Sequence, residues 1–171
     1  MVAVQSLANG KLSFSLAKSK GICQNLEMAR QEQRSACPIA CALDLLGDRW
    51  TLLVVRDMTL LGKTRFSEFL ESPEGIATNV LSDRLQRLQD AGIVISGRYP
   101  EDGRRVLYAM TKMGLDLLPM MLELAVWGAK HRPESGVPKE LQKRYLADKD
   151  QFLSELRERV KRSSSSILPA E

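Results

Sequence analysis

Residues 66–90 read FSEFLESPEGIATNVLSDRLQRLQD, and this segment carries the main evidence for the fold. A short apolar segment around Phe66 and Phe69 runs into Ser-Pro-Glu-Gly at residues 72–75, a combination typical of a turn. From Thr78 onward, leucines at positions 81, 85 and 88 recur at the spacing of one helix face. The residues between them are mostly polar and point away from that face. The pattern predicts two helices joined by a short turn, the second with a buried leucine stripe and an exposed polar side.

The flanking segments extend this helix pair into a larger unit. Upstream, one apolar helix opens at Cys37-Pro38 and a second covers about residues 49–59. Downstream, two β-prone runs between residues 93 and 110 surround a loop that contains Asp-Gly, which predicts a hairpin. Three helices, a polar-faced helix and a hairpin in that order indicate a mainly α fold with a small β-hairpin (α+β). We predict a winged helix-turn-helix domain over residues 37–132.

The rest of the chain is predicted to add helices. Thr111 is a suitable N-cap for a long helix that Pro119 would kink. The apolar face of this helix exceeds what a small hairpin can cover, so we expect it to build a two-fold interface. The expected interface residues are Leu115, Leu118, Leu122 and Val126. Residues 133–162 are predicted to form an amphipathic helix that joins this interface, before a disordered tail at 163–171. Residues 1–36 are predicted to form an N-terminal arm that is partly helical.

The polar side of the helix beginning near Thr78 fits the major groove of duplex DNA. Base edges lie deep in that groove, so a reading helix needs short hydrogen-bonding side chains, as Thr78, Asn79 and Ser82 provide. The cations expected to reach the phosphates at the rim are Lys63, Arg65, Arg84, Arg87, Arg98, Arg104 and Arg105. Asp83 either accepts from a cytosine amino group or pairs with Arg87. Net charge adds nothing to this case, because residues 37–132 hold 12 basic and 12 acidic side chains.

Ten short motifs follow one another along residues 37–131. They are Cys37-Pro38, Gly47-Asp-Arg-Trp50, Arg65-Phe66-Ser-Glu68, Gly75-Ile76, Leu81-Ser-Asp-Arg-Leu85, Gly92-Ile93, Tyr99-Pro100, Arg105-Val-Leu-Tyr108, Thr111-Lys-Met-Gly114 and Trp127-Gly128. This ordered set resembles the HxlR-type helix-turn-helix family, winged-helix relatives of the MarR regulators. The resemblance implies a transcription regulator that binds a pseudo-palindromic operator as a homodimer, through its recognition helix and wing. One departure is Ala77, where the family often has serine, and a shift of the helix cap to Thr78 would accommodate it.

Cys37 has two open interpretations. It precedes a proline at a helix N-terminus, where the helix dipole favours the thiolate and therefore reactivity. Small buried cysteines are common, so a core role is the alternative. The resemblance adds that some members of the family sense oxidants through a cysteine at this position. The expected effector of the domain is accordingly an oxidant or a small molecule.

Several function classes lack the residues that they need. One histidine and three cysteines cannot supply the spaced ligand pairs of a structural zinc site. Walker A, dinucleotide-binding and zinc-protease motifs do not occur, and His131 has no evident nucleophile partner. We therefore expect no catalysis, no metal, no cofactor and no membrane segment, in a cytoplasmic protein. The alternative function is a winged-helix module that binds protein or RNA without recognising an operator.

Overall fold

The computed structural model describes residues 36–99, 102–132, 134 and 139–163, with the backbone alone at residues 99, 102–105 and 139–141. The expectations for the arm before Cys37 and for the tail after Ser163 lie, except for Ala36, outside the described residues. Among the described helices, none is both long and apolar enough to cross a lipid bilayer. The described part of the chain is mostly helical with one antiparallel hairpin.

Helices α1 (Pro38–Leu46) and α2 (Arg49–Thr59) open the domain. Pro38 lies in the first turn of α1, where a missing backbone N–H leaves no helical hydrogen bond unmade. Asp48 caps α2, since its carboxylate accepts hydrogen bonds from the backbone N–H groups of Trp50 at 3.0 Å and Thr51 at 3.1 Å. Val54, Val55 and Met58 of α2 are buried in the core. Both helices occur where the sequence predicts them.

Helices α3 (Phe66–Leu70) and α4 (Thr78–Asp90) form the predicted helix pair. The Glu68 carboxylate caps the start of α3, because it accepts hydrogen bonds from the backbone N–H groups of Arg65 at 2.9 Å and Thr64 at 2.8 Å. Gly75, in the turn between the helices, has a φ of +68°, in the left-handed region that favours glycine. The leucines of α4 at positions 81, 85 and 88 are buried, which confirms the predicted stripe.

Strands β1 (Val94–Tyr99) and β2 (Asp102–Met110) form the predicted hairpin, the wing of the domain. They pair antiparallel with Val94 opposite Met110, and the register is irregular where β1 ends. The segment before α3 joins the wing, because Arg65 forms a β-bridge with Leu107. This order of helices and wing confirms the winged helix-turn-helix fold.

The helix predicted after the wing is interrupted. Helix α5 (Lys112–Leu115) ends after one turn, and α6 (Leu118–His131) begins three residues later. Thr111 caps α5 as predicted, since its hydroxyl accepts a hydrogen bond from the backbone N–H of Gly114 at 3.1 Å. The expected kink at Pro119 is wrong. This proline lies in the first turn of α6, where its missing N–H breaks no hydrogen bond.

Two helices replace the single one predicted near the C-terminus. They are α7 (Lys139–Ala147) and α8 (Lys149–Ser163), separated at Asp148, whose carboxylate accepts a hydrogen bond from the backbone N–H of Gln151 at 2.9 Å. Tyr145 on α7 and Leu156 and Val160 on α8 are buried in the same core as α2 and α6. The predicted apolar stripe is therefore present but packs inside the chain, and it covers surface that the sequence assigned to a two-fold interface.

Candidate nucleic-acid interface

The side of α4 opposite the leucine stripe faces solvent. Its exposed residues are Thr78, Asn79, Ser82, Asp83, Gln86 and Arg87. Three short hydrogen-bonding side chains thus lie together in the first two turns of the helix. Gln86, one turn after Ser82 on the same side, is a further donor and acceptor that was absent from the expected contact residues. Its spacing from Ser82 was the available signal, because residues four apart share a helix face.

Helix α4 begins without a side-chain cap. Ala77 is the N-cap residue, with extended backbone, and Thr78 is the first helical residue. The expected shift of the cap to Thr78 is wrong, because the backbone of Thr78 is already helical. The first-turn N–H groups of α4 therefore point outward without a capping side chain, at the positive end of the helix dipole. That arrangement favours an anionic oxygen such as that of a phosphate.

Asp83 lies between two arginines of α4. Its Oδ2 atom is 3.0 Å from Arg87 Nε and 2.7 Å from Arg84 Nη1. Of the two expectations for Asp83, the structure contains the pairing with Arg87. A carboxylate shared between two guanidinium groups has less capacity to accept from a cytosine amino group. The Arg87 side chain is still largely exposed, so it can extend toward a phosphate.

Two of the expected DNA-contacting cations are paired inside the chain. Arg84 Nε lies 2.8 Å from Asp48 Oδ1, and only 18% of the Arg84 side chain is exposed. Lys63 Nζ lies 3.0 Å from Asp57 Oδ2 and 2.5 Å from Ser72 Oγ, with 19% of its side chain exposed. Each of these two cations is paired with a carboxylate of α2 or of its cap, which leaves it less available to a phosphate than an exposed arginine.

Asp48 has two roles in this arrangement, as the cap of α2 and as the partner of Arg84. Burial raises the pKa of Asp48, but the backbone N–H of Thr51 and the charge of Arg84 outweigh it and bring the pKa below its ordinary value. The carboxylate is therefore ionised at neutral pH. It links the start of α2 to the middle of α4.

The wing supplies cations that remain exposed. Arg98 on β1 and Arg65 before α3 are exposed, and Arg65 Nε is 4.0 Å from Glu68 Oε1, at the outer limit of an ion pair. Arg98 pairs across the strands with Val106, and Arg65 bridges the next residue of β2. Both arginines are thus attached to one part of the wing. The backbones of Arg104 and Arg105 lie in β2, but their side chains are outside the described residues, so their contacts stay predictions.

The apolar surface differs from the one predicted. Leu115, Leu118 and Leu122 are buried in the chain's own core, and Val126 is half-buried against it. The assignment of the three leucines to a two-fold interface is wrong, because they have almost no surface left for a partner. A different set of large apolar residues is exposed on α1 and α6, here called the α1–α6 patch: Ile39, Leu43, Met120, Leu124 and Trp127. An open apolar groove of about 390 Å³ runs between these two helices.

Cys37 lies beside this patch, as the N-cap residue of α1. It is exposed, which contradicts the alternative of a buried core cysteine, whereas Cys41 is half-buried. The backbone N–H groups of Ala40 and Ile39 lower the pKa of the Cys37 thiol below its ordinary value. A larger thiolate fraction at neutral pH follows from that shift.

The chain matches known regulators in sequence and structure. The sequence model of the family described as HxlR-like helix-turn-helix matches residues 45–136. The uncharacterised HTH-type transcriptional regulator sll1512 of Synechocystis sp. is 33% identical over 93 residues, which cover 54% of this chain and 68% of that protein. The uncharacterised HTH-type transcriptional regulator YvaP of Bacillus subtilis is 34% identical over 99 residues, which cover 57% of this chain and 91% of that protein. The oxidised redox regulator HypR superposes with a TM-score of 0.52 at 32% identity, covering 56% of this chain and 98% of HypR.

Proposed function

The chain belongs to the HxlR-like helix-turn-helix family, and from that premise we propose that it is a homodimeric transcriptional regulator that binds specific sequences in duplex DNA. In this proposal α4 enters the major groove, and the wing contacts the backbone or the adjacent minor groove. The protein acts in the cytoplasm, where the DNA is, and needs no cofactor for binding.

The observation that carries the proposal is the group of exposed side chains in the first two turns of α4. Thr78, Asn79 and Ser82 can donate and accept hydrogen bonds, and the buried leucine stripe holds them on the solvent side. An amide such as that of Asn79 can bond two positions of one base edge, which discriminates between bases. We propose that Asn79 reads sequence and that Thr78, Ser82 and Asp83 assist on the same face.

Backbone contacts come from the cations that remain exposed. Arg87 on α4, Arg98 on β1 and Arg65 before α3 are suited to phosphates because long cationic side chains reach the groove rim. Arg104 and Arg105 are assigned to the same role on the basis of the sequence. These contacts position the protein on any duplex, so they contribute affinity and salt dependence rather than selectivity.

The α1–α6 patch is the proposed two-fold interface. Ile39 is 70% exposed and Trp127 61% exposed, and large apolar patches on soluble proteins commonly mark interaction sites. A second copy is the favoured occupant, because a two-fold dimer would present two α4 helices to the half-sites of a pseudo-palindromic operator. Val126, which is half-buried on α6 next to Trp127, is also proposed as an interface residue.

Cys37 is the proposed input site. Its thiolate would attack one sulfur of a low-molecular-weight disulfide, forming a mixed disulfide while the other sulfur leaves as a thiolate and takes up a proton. The Cys37 sulfur is oxidised and the released sulfur is reduced, so the exchange is balanced. The name of HypR as a redox regulator supports this assignment. Because Cys37 lies beside the α1–α6 patch, such a modification would act on the dimer and through it on DNA binding.

The test compares a reading variant with a backbone variant. Purified protein is first used to enrich fragments of its own genome, which yields an operator. Asn79→Ala should then weaken operator binding by about 1–3 kcal/mol and leave random duplex nearly unaffected. Arg98→Ala should weaken both alike and reduce the salt slope by about 1. Reversed effects would move the reading surface to the wing, and retention of RNA or protein without duplex selectivity would favour the binding-module alternative.

A further inference from the structure

A network of charged side chains, centred on the buried carboxylate of Asp57, joins α2 to the turn that precedes α4. Only 4% of the Asp57 side chain is exposed, and its carboxylate accepts from Arg56 Nε at 2.9 Å and from Lys63 Nζ at 3.0 Å. It also accepts a short hydrogen bond from the Ser72 hydroxyl. The same Arg56 guanidinium binds both carboxylate oxygens of Glu74, one of them from Nη2 at 3.0 Å.

The energetics of this network argue for a role other than stability alone. Burial of a carboxylate costs several kcal/mol unless every lone pair is satisfied, and the donors around Asp57 meet that demand. Replacing a satisfied buried ion pair with apolar side chains is nevertheless often neutral or stabilising. What charged pairs add is direction, because a bidentate guanidinium contact fixes both distance and orientation.

These charged contacts fix the position and orientation of the start of α4. Ser72 and Glu74 are both bound to α2 side chains, and the proline between them has a restricted φ. The Gly75 N–H closes the turn on the Ser72 carbonyl at 3.0 Å, and the next residue, Ile76, is buried. Helix α4 begins two residues later. The turn therefore has little freedom to change the height or tilt at which α4 starts.

A second contact fixes the middle of the same helix. Arg84 Nε forms an ion pair with Asp48 Oδ1 at 2.8 Å, and Asp48 in turn caps α2. Asp48 and Asp57 lie nine positions apart, which corresponds to about 13 Å along a helix. One contact therefore holds the turn just before α4 and the other holds the middle of α4. Two separated contacts define an orientation, whereas one contact would leave a pivot.

We propose that Asp48 and Asp57 form a two-point clamp through which α2 sets the orientation of the DNA-reading helix α4. Arg56, Glu74 and Arg84 are positioning residues in this clamp, and none of them contacts a base. The inference rests on the proposed DNA-binding function, since its consequence is the selectivity of α4. It extends that function, because it assigns selectivity to residues that lie away from the reading face.

Glu74→Gln is the main test variant, since Glu74 is partly exposed and its loss spares the buried Asp57. Glu71→Gln is the matched control, because it removes one acidic charge from an exposed residue at the end of α3. Both variants reduce repulsion of DNA similarly, so their comparison cancels the charge effect. We expect the ratio of operator to random-duplex affinity to fall by about tenfold in Glu74→Gln relative to Glu71→Gln.

A double-mutant cycle separates positioning from general weakening. Asn79 and Glu74 do not share a bond, so independent roles give additive effects of Glu74→Gln and Asn79→Ala on operator affinity. If Glu74 positions Asn79, the alanine substitution should cost at least about threefold less in the Glu74→Gln background. Additive effects would overturn the clamp. Arg84→Gln should likewise lower selectivity while leaving the salt slope unchanged, in contrast to Arg87→Gln, which should reduce it by about 1.

Hydrogen exchange tests the clamp without DNA. Leu81 N–H is the first helical donor of α4, bound to the Ala77 carbonyl at 2.9 Å. In Glu74→Gln the amides of residues 81–83 should exchange about tenfold faster than in Glu71→Gln, with residues 88–90 unchanged. Equal exchange in the two variants would refute the clamp whatever the DNA result. Failure of the wild type to select any duplex would instead refute the proposed function, and exchange would still decide on the clamp.

Discussion

Replacing Gly114 with alanine should distort the base of the wing. A Cβ atom at this position would lie 2.3 Å from the Ile93 carbonyl oxygen and 2.8 Å from Met110 Cε. The Ile93 oxygen cannot easily move, because it already accepts a hydrogen bond from the Thr111 N–H at 3.0 Å. Relief of the clash requires a displacement of about 1 Å, and overpacking of this kind costs about 1–3 kcal/mol. The weakened hydrogen bond adds about 1 kcal/mol, which the helix propensity of alanine offsets.

The expected loss in free energy of unfolding is therefore about 2 kcal/mol, or a fall in Tm of about 4–8 °C for a chain of this size. Thermal and urea unfolding followed by circular dichroism would measure it. Gly128→Ala is the matched control, because no atom lies within 4 Å of its added Cβ, and we expect it to be neutral or slightly stabilising. Wild-type stability in Gly114→Ala would refute the close approach between α5 and the wing.

Three further predictions concern pH, assembly and oxidation. The hydrogen bond from Arg56 lowers the pKa of Glu74 to about 2. The ionised Glu74 therefore stabilises the folded state fully above the pKa of the unfolded chain, and this contribution is lost as the pH falls through the pKa of the folded state. The free energy of unfolding should therefore drop more steeply between about pH 5 and pH 2 in wild type than in Glu74→Gln, and parallel curves would contradict this. Light scattering should show that Trp127→Glu is a monomer. Leu146→Lys is the control, since it changes an exposed leucine outside the patch, and it should remain a dimer. A monomeric wild type at micromolar concentration would exclude the dimer. A mild disulfide oxidant should weaken or redirect operator binding by wild type and have no effect on Cys37→Ser, and equal responses would reject the sensor.

The winged helix-turn-helix could be predicted because local rules determine its elements. The leucine spacing in α4 needs no distant partner to indicate a buried face, and the Ser-Pro-Glu-Gly turn and the hairpin follow from backbone preferences of a few residues. Thr111 as a cap is a rule of the same kind. Asn79 and Ser82 could be placed on the exposed side for the same reason, since the stripe at Leu81 fixes the rotation of the helix.

Apolar faces were harder to interpret, because periodicity shows that a face is buried but not what covers it. The sequence pattern assigns Leu118 and Leu122 to a second copy, whereas α8 returns onto the domain and they lie in the chain's own core. The break before α6 contributes to this error. A proline in a long apolar segment is compatible with a kink or with a new helix start, and only the turn after Leu115 decides between them.

The pairing of charged side chains was the least predictable feature, and it changes which residues are expected to contribute to DNA binding. The sequence predicts Lys63 and Arg84 as DNA-contacting cations. Their carboxylate partners, Asp57 and Asp48 respectively, lie 6 and 36 positions away in the sequence. Pairing at such distances depends on tertiary packing, so no count of basic residues could reveal it. If α4 and the wing bind DNA as proposed, fewer exposed cations give binding a smaller salt-dependent share than the sequence implied. Discrimination between operator and other DNA then depends more on how accurately α4 is oriented. In the proposed clamp, the acids that pair with these two cations are the same groups that set the orientation of α4.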